Sequence, residues 1–148
     1  MPSPTSATIP DTTYTDYLNL TYRPDLQTVV LRWLRDVSFP ELQLAHRAAL
    51  ELTTYHKASF WFVDVRRRLI VNNTHTRWLT DEFFPHAATQ SPTGNLRIAY
   101  LTSPNRQRII DDDSDMQLTI ARAASTSQPY RLCTFVDEAS AMSWLLNG

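Results

Sequence analysis

The stretch that most constrains the fold is residues 58–65, ASFWFVDV, where nearly every side chain is apolar or aromatic. A strand with one wet face alternates polar and apolar residues, so a near-continuous apolar run predicts a strand buried on both faces. Such a strand lies inside a sheet, with neighbouring strands at its edges and helices over its faces. The chain has 148 residues, the size of one ordinary domain, and must supply those elements itself.

Strand and helix patterns alternate around this central strand. The first two strands are joined by a turn at Pro24 and Asp25, which predicts an antiparallel hairpin. The later strands are separated by helical segments, which predicts βαβ units with parallel strands. We therefore predict an α/β domain over residues 14–148, with a mixed sheet of about five strands and about four helices. The predicted strands are residues 14–22, 27–34, 58–65, 96–101 and 130–136.

Capping residues predict where the helices begin. Ser38 and Glu41 form a capping box before an apolar stripe. The stripe comprises Leu42, Ala45, Ala49 and Leu52. A second helix, over residues 74–84, is expected to stop at Pro85.

Shorter helical segments follow. Ser103 opens a short helical turn, and Ser114 begins a second capping box. Asp137 caps the last helix, whose inward face is predicted to be Ala141, Trp144 and Leu145.

The N-terminal residues 1–13 are predicted to be a disordered tail, because they are rich in proline, serine and threonine. They lack the basic and apolar regions of a signal peptide. The apolar runs elsewhere are far shorter than a membrane span. We therefore expect a cytoplasmic protein with no membrane span.

Composition excludes several function classes. Two glycines cannot build a P-loop or a dinucleotide fingerprint, and the lone Cys133 excludes a cysteine-rich metal site. Fourteen basic against 15 acidic residues give no nucleic-acid footprint. The acidic residues 111–115 are interpreted as a solvated helix start. The four histidines lack metal-ligand spacing and are interpreted as surface or partly packed: His46, His56, His75 and His86. We expect no metal, no cofactor and no nucleic-acid partner.

Three consecutive arginines form the best-placed charged cluster. They follow the predicted central strand and precede a helix, and ligands of open α/β sheets bind beyond the carboxyl ends of strands. Guanidinium groups and hydroxyls there could bind an anion or a partner's carboxylates. The alternative is a solvated loop whose arginines pair with Asp64. The candidate interaction or anion-binding loop comprises Arg66, Arg67, Arg68, Asn73, Thr74 and Thr76.

Four segments occur in an order that resembles the STAS-like domains, bacterial relatives of the anti-sigma-factor antagonists that are often grouped with CRAL-TRIO-type lipid-binding folds. They are WFVDVRRR (61–68), RWLTDEFFP (77–85), RIAYLTSP (97–104) and TFVDEASAMSWLLNG (134–148). The most specific part is the tail pattern of Phe135, Asp137, Ala141, Trp144 and Leu145.

The resemblance implies a non-enzymatic regulatory or protein-interaction module with a protein partner, and it leaves a homodimer open. In true antagonists a phosphorylated serine or threonine opens the helix after the central strand, and Thr74 is the corresponding candidate although the surrounding Ser and Gly of the pattern are absent. The alternative is a small apolar-ligand or lipid-binding domain of CRAL-TRIO type. That function requires a cavity above ~300 Å³. Its expected lining is Phe60, Phe62, Trp78 and Phe83.

Overall fold

The computed structural model describes residues 12–91 and 94–147. The predicted tail at residues 1–11 lies outside the described residues, and Thr12 and Thr13 belong to the first strand. The strands are β1 Thr12–Tyr14, β2 Leu18–Arg23, β3 Thr28–Trp33, β4 Phe60–Asp64, β5 Leu96–Leu101 and β6 Tyr130–Phe135. The helices are α1 Phe39–His56, α2 Asn73–Trp78, α3 Phe84–Thr89, α4 Pro104–Asp111, α5 Ser114–Ala123 and α6 Glu138–Asn147, and a π-helical turn, Leu79–Phe83, joins α2 to α3.

The strands form one six-stranded mixed sheet in the order β1-β2-β3-β4-β5-β6. β1, β2 and β3 pair antiparallel, and β3 to β6 pair parallel. This confirms the predicted α/β class, the N-terminal hairpin and the interior position of the apolar strand. β3, β4 and β5 are each followed by helix and then by the adjacent strand, so the carboxyl ends of β3 to β6 meet at one edge.

The additional strand arises because residues 14–22 are not continuous. The hydroxyl of Thr15 accepts hydrogen bonds from the backbone N–H of Leu18 at 2.9 Å and of Tyr17 at 3.2 Å. Such a local hydrogen bond between a side chain and the backbone stabilises a turn in place of continued strand pairing. The chain therefore folds back, and β1 pairs with β2.

The two faces of the sheet carry separate cores. On the front face, Val29, Leu31 and Trp61 pack with the apolar stripe of α1 and with the segment from α2 to α3. On the back face, Val30, Phe62 and Ala99 pack against α6. Strand side chains alternate between faces, so successive residues enter different cores.

The capping box of α1 is confirmed. The Ser38 hydroxyl accepts from the Glu41 N–H at 3.3 Å, and the Glu41 carboxylate accepts from the Ser38 N–H at 2.9 Å. All four residues of the predicted stripe are buried. The interpretation of His46 as surface or partly packed was wrong, since it is 1% exposed among aromatic rings on the same helix.

Two predicted helix boundaries were wrong. Pro85 does not stop the second helix, which continues to Thr89. The π-helical turn precedes it, and the backbone N–H of Phe84 reaches back to the carbonyl of Leu79. The wider π-helical turn interrupts the regular α-helical hydrogen bonds, and a new α-helix begins after it. Pro85 therefore falls in the first turn of that helix, where its missing N–H is tolerated. At α5 the cap is Asp113 and not Ser114, because the Asp113 carboxylate accepts from the Met116 N–H at 3.1 Å.

The last helix follows its prediction with one correction. Asp137 accepts from the Ser140 N–H at 2.8 Å, and Ala141 and Leu145 are buried. Trp144 packs against the same back core but is only half-buried. Its ring lies 5.7 Å from that of Phe135 and beneath the guanidinium of Arg97 at 4.2 Å.

Candidate functional site

A cavity of about 70 Å³ lies at the carboxyl ends of β4, β5 and β6, on the front face of the sheet. The segment from α2 to α3 borders one side, and α4 and α5 border the other. We call it the arginine cavity, because two guanidinium groups line it. Its polar lining includes Arg68, His75, Tyr100, Thr102 and Arg106. Its apolar lining includes Leu79, Phe84, Ile110, Met116, Ala123 and Leu132.

Arg68 is buried without an acidic partner. It is 7% exposed, and its guanidinium carbon lies 5.3 Å from the centre of the Trp33 ring. Within residues 12–91 and 94–147, no carboxylate is within ion-pairing distance of it, and its Nε has no hydrogen-bond partner. Buried arginines are ordinarily paired, because an unpaired buried charge loses its hydration without compensation. Arg68 therefore has unused capacity to bind an anion.

Arg106 is the second cation of the cavity and enters from α4. Its Nη1 donates to the backbone carbonyl of Arg68 at 3.0 Å and to that of Ile70 at 3.5 Å. These bonds hold the loop after β4 against α4. Among the described ion pairs none involves Arg106. Its charge is thus positioned by carbonyl groups but not neutralised.

Further polar atoms around the cavity also lack partners. They are Nδ1 of His75 and Oγ1 of Thr102, both in residues that are at most 9% exposed. Buried polar atoms are nearly always hydrogen bonded in native proteins. Counting Arg68 Nε, three polar groups that no described residue satisfies line this one cavity.

The electrostatics of the cavity favour negative charge. Burial lowers the pKa of Arg68. Burial, followed by the charge of Arg68, lowers the pKa of Arg106 to about 10. The same two causes lower the pKa of His75. The negative charge of Asp36 raises the pKa of both arginines from a distance, but it does not outweigh burial. The Asp36 carboxylate already accepts a hydrogen bond from the Ile70 N–H at 3.0 Å.

The structure separates the three consecutive arginines. Arg66 is exposed, and its guanidinium donates two hydrogen bonds to the Asp64 carboxylate, at 3.0 and 2.8 Å. Arg67 is exposed, and Arg68 is buried in the cavity wall. The alternative of pairing with Asp64 thus applies to Arg66, while Arg68 contributes the anion-binding geometry.

Asp64 is the centre of an ion-pair cluster on the back face. It is 7% exposed and also pairs with Arg32 at 3.0 Å, which reaches Glu138 at 3.0 Å. Burial alone would raise the pKa of Asp64, but hydrogen bonds from Arg66 and Arg32 outweigh it and lower that pKa. This cluster is internally neutralised, in contrast to the arginine cavity.

The remaining predicted site residues lie at the start of α2. Thr76 lines the cavity, and its hydroxyl donates to the carbonyl of Asn72 at 3.1 Å. Thr74 is exposed, and Asn73 is partly exposed with a buried, unpartnered Oδ1. The N-cap is Asn72, whose side chain accepts from the His75 N–H at 3.1 Å. Only Arg68 and Thr76 of the six predicted residues line the cavity.

Sequence reasoning missed Arg106, His75, Tyr100 and Thr102. Tyr100 lies in β5 and Thr102 follows its end. The sequence could have indicated both, because alternate residues of a strand share a face, and these two share the face of Leu96 and Ile98. Burial raises the pKa of Tyr100 to about 12, so it stays a neutral hydroxyl. Arg106 gave no local signal, since its partners are 36 and 38 residues away.

The lining expected for an apolar-ligand domain was wrong. Phe60 and Phe62 pack in the back core, while Trp78 and Phe83 pack in the front core. The sheet lies between the two pairs, so they cannot line one cavity. The arginine cavity is also far smaller than the ~300 Å³ of typical ligand pockets.

The described part of the chain holds neither a metal-ligand cluster nor a membrane-spanning helix. No cluster of three or more His, Cys, Asp or Glu side chains there could hold a metal ion. No described helix has the length and apolarity needed to cross a membrane. A comparison of the chain with family models, with curated proteins and with solved structures finds no match.

Proposed function

We propose that this protein is a non-enzymatic regulatory module that binds a small anion in the arginine cavity. The observation that carries the proposal is the pair of uncompensated guanidinium groups, Arg68 and Arg106, on one cavity at the carboxyl ends of parallel strands. Guanidinium groups present several fixed N–H donors and remain charged at neutral pH. An anion would supply the charge and the acceptors that the cavity lacks.

The position of the cavity agrees with this function. Ligands of open α/β sheets bind beyond the carboxyl ends of the strands, and Thr102 and Thr134 mark those ends here. The bound anion would lie next to the loop that holds Arg67, Leu69 and Ile70, all exposed. Binding would therefore stabilise a surface loop, which is how a small ligand can control contact with a protein partner. The resemblance to STAS-like domains supports a regulatory role of this kind.

The lipid-carrier alternative has weaker support. Apolar side chains do form much of the wall, but about 70 Å³ holds on the order of five water-sized atoms. A long acyl chain would require the helices to move apart.

The test measures thermal unfolding of the full chain in acetate, phosphate or sulfate at constant ionic strength. An anion at about 100 times its Kd stabilises a fold by ~2.7 kcal/mol, which raises Tm by roughly 5–10 °C for a chain of this size. Arg68→Met and Arg106→Met should abolish that rise. Arg67→Met is the matched control, because Arg67 is an exposed neighbour on the same loop, and it should retain the full effect.

Equal responses from all four proteins would reject the proposal, because they would show a general effect of salt. No response from any of them to any anion would reject it as well. Calorimetric titration of the same proteins separates saturable binding at one site from weak, non-specific screening.

A further inference from the structure

The hydrogen-bond donors around the arginine cavity bear on which anion it takes. Resting on the proposed function, we infer that the ligand is a doubly charged tetrahedral oxyanion of the size of sulfate or hydrogen phosphate, bound at Arg68 and Arg106. The same chemistry is present in the free ions and in the terminal phosphoryl group of a larger molecule. Three properties of the lining support it: the positions of its donors, its charge and its volume.

Donors reach the cavity from separate elements. Arg68 lies in the loop after β4, His75 lies on α2 and Arg106 lies on α4. Tyr100 lies in β5, and Thr102 follows its end. Arg106 Nη1 donates to the carbonyl oxygen of Arg68 at 3.0 Å, so the two arginines are neighbours. A strand end, a loop and two helices border the space, and their donors therefore approach it from different directions.

Several of these donors are not used within the described part of the chain. Arg68 Nε, His75 Nδ1 and Thr102 Oγ1 have no hydrogen-bond partner there, and the three residues are at most 9% exposed. Burial raises the pKa of Tyr100 to about 12, so its hydroxyl stays protonated. A carboxylate presents its oxygens at one end, whereas a tetrahedral oxyanion presents oxygens in every direction. Donors from several directions therefore favour the tetrahedral ion.

The charge of the lining favours a dianion over a monoanion. Within residues 12–91 and 94–147, no aspartate or glutamate lines the cavity, and Asp36, which acts on both arginines, lies outside the lining. The guanidinium groups of Arg68 and Arg106 each bring a positive charge, which guanidinium keeps at neutral pH. A monoanion would leave one of these charges uncompensated, and uncompensated buried charge is costly. A dianion balances both.

The volume of the cavity sets the size of the ion. One water-sized atom needs about 10–15 Å³ of such space, so about 70 Å³ holds on the order of five to six heavy atoms, the size of one sulfate or phosphate ion. A larger phosphate ester can place only its phosphoryl group inside and must leave the remainder outside the cavity.

The experiment is calorimetric titration of the full chain with sulfate, phosphate, perchlorate, oxalate and acetate at constant ionic strength, at about pH 8, where phosphate is mostly doubly charged. Perchlorate has the shape of sulfate but a single charge. Sulfate and phosphate should bind at least about tenfold more tightly than perchlorate, because their second charge interacts with the second guanidinium. Oxalate has the charge of sulfate but is not tetrahedral. It should bind at least about fivefold more weakly than sulfate, because it leaves a donor unpaired.

Phenyl phosphate distinguishes the two sources of the oxyanion. Binding as tight as that of phosphate, or tighter, would assign the site to the phosphoryl group of a larger molecule. Weaker binding would assign it to the free ion. Both results agree with the inferred chemistry.

A conservative variant tests whether a donor other than arginine holds the ion. Thr102→Val removes a hydroxyl that no described residue satisfies and nearly preserves the side-chain shape. It should lower sulfate affinity at least about fivefold, because a hydrogen bond to a charged group is lost. The matched control is Thr21→Val, in β2 and outside the cavity lining, which should leave sulfate affinity unchanged. Unchanged Tm values in the absence of anion would verify that both variants fold.

The outcomes separate this inference from the proposed function. Perchlorate, oxalate or acetate binding as tightly as sulfate would overturn the tetrahedral dianion and leave anion binding intact. Unchanged sulfate affinity in a folded Thr102→Val variant would overturn it as well, because the two arginines alone would then hold the ion. The absence of binding by every anion would overturn both the inference and the proposed function.

Discussion

Replacing Arg68 by methionine should leave the protein as stable as before or make it more stable, although Arg68 is 7% exposed. The change removes a cation–π contact with Trp33, worth about 0.5–2 kcal/mol. It also removes a buried Nε without a partner, whose cost is about 1–3 kcal/mol. Relief of the repulsion on Arg106 adds to that gain. Methionine keeps the apolar stem, so no large cavity opens.

The expected net effect is between zero and about 2 kcal/mol of added stability, since replacing uncompensated buried charge by apolar groups is often neutral or stabilising. Urea unfolding in an anion-poor buffer measures it, with Arg67→Met as the surface control that should stay within about 0.5 kcal/mol. A loss of more than about 2 kcal/mol for Arg68→Met would refute the reasoning. It would show that the guanidinium is satisfied in the fold and is not held ready for a ligand.

Three further predictions concern the scaffold. His46 is neutral in the fold because burial lowers its pKa to about 4, so the unfolded chain binds more protons between pH 6.5 and 4. Stability should be fully present above pH 6.5 and fall by up to about 3 kcal/mol towards pH 4; a His46→Leu variant with the same pH slope as wild type would contradict this. Asp64→Asn should cost about 1–3 kcal/mol in urea unfolding, because it leaves Arg66 without an acidic partner and Arg32 with Glu138 alone, while the exposed pair of Asp16 should tolerate Asp16→Asn within about 0.5 kcal/mol. Trp144→Ala should cost about 2–3 kcal/mol, less than the ~3–5 kcal/mol of a fully buried tryptophan, and an unchanged denaturation midpoint would show that α6 contributes little.

Much of the fold is encoded in short-range patterns. The capping box at Ser38, the turn at Pro24 and the apolar strand β4 each involve neighbouring residues, so local physical rules suffice for them. The errors occur where two local preferences compete. Pro85 ordinarily ends a helix, but the π-helical turn before it removes the conflict.

The candidate site is a different case, because it depends on the arrangement of elements in space. The loop after β4 was identified because it follows a central strand, and that rule locates Arg68 at the correct edge of the sheet. It cannot indicate that Arg66 points to Asp64 while Arg68 is buried, since that choice depends on packing against Trp33. The same rule cannot indicate Arg106 either, because Arg106 contacts the loop only when α4 packs beside it.

The most direct test of the account is to observe the guanidinium groups during an anion titration. In two-dimensional NMR the Nε–H signals of arginine side chains report on their hydrogen bonds, and Arg68→Met and Arg67→Met assign the two signals that matter. We predict that the Arg68 Nε–H signal shifts in a saturable way with at least one of acetate, phosphate and sulfate, because no described residue accepts a hydrogen bond from that group. The Arg67 signal should move only slightly and linearly with salt. An Arg68 signal that stays unchanged through the titration, or that follows the same linear course as Arg67, would contradict the account.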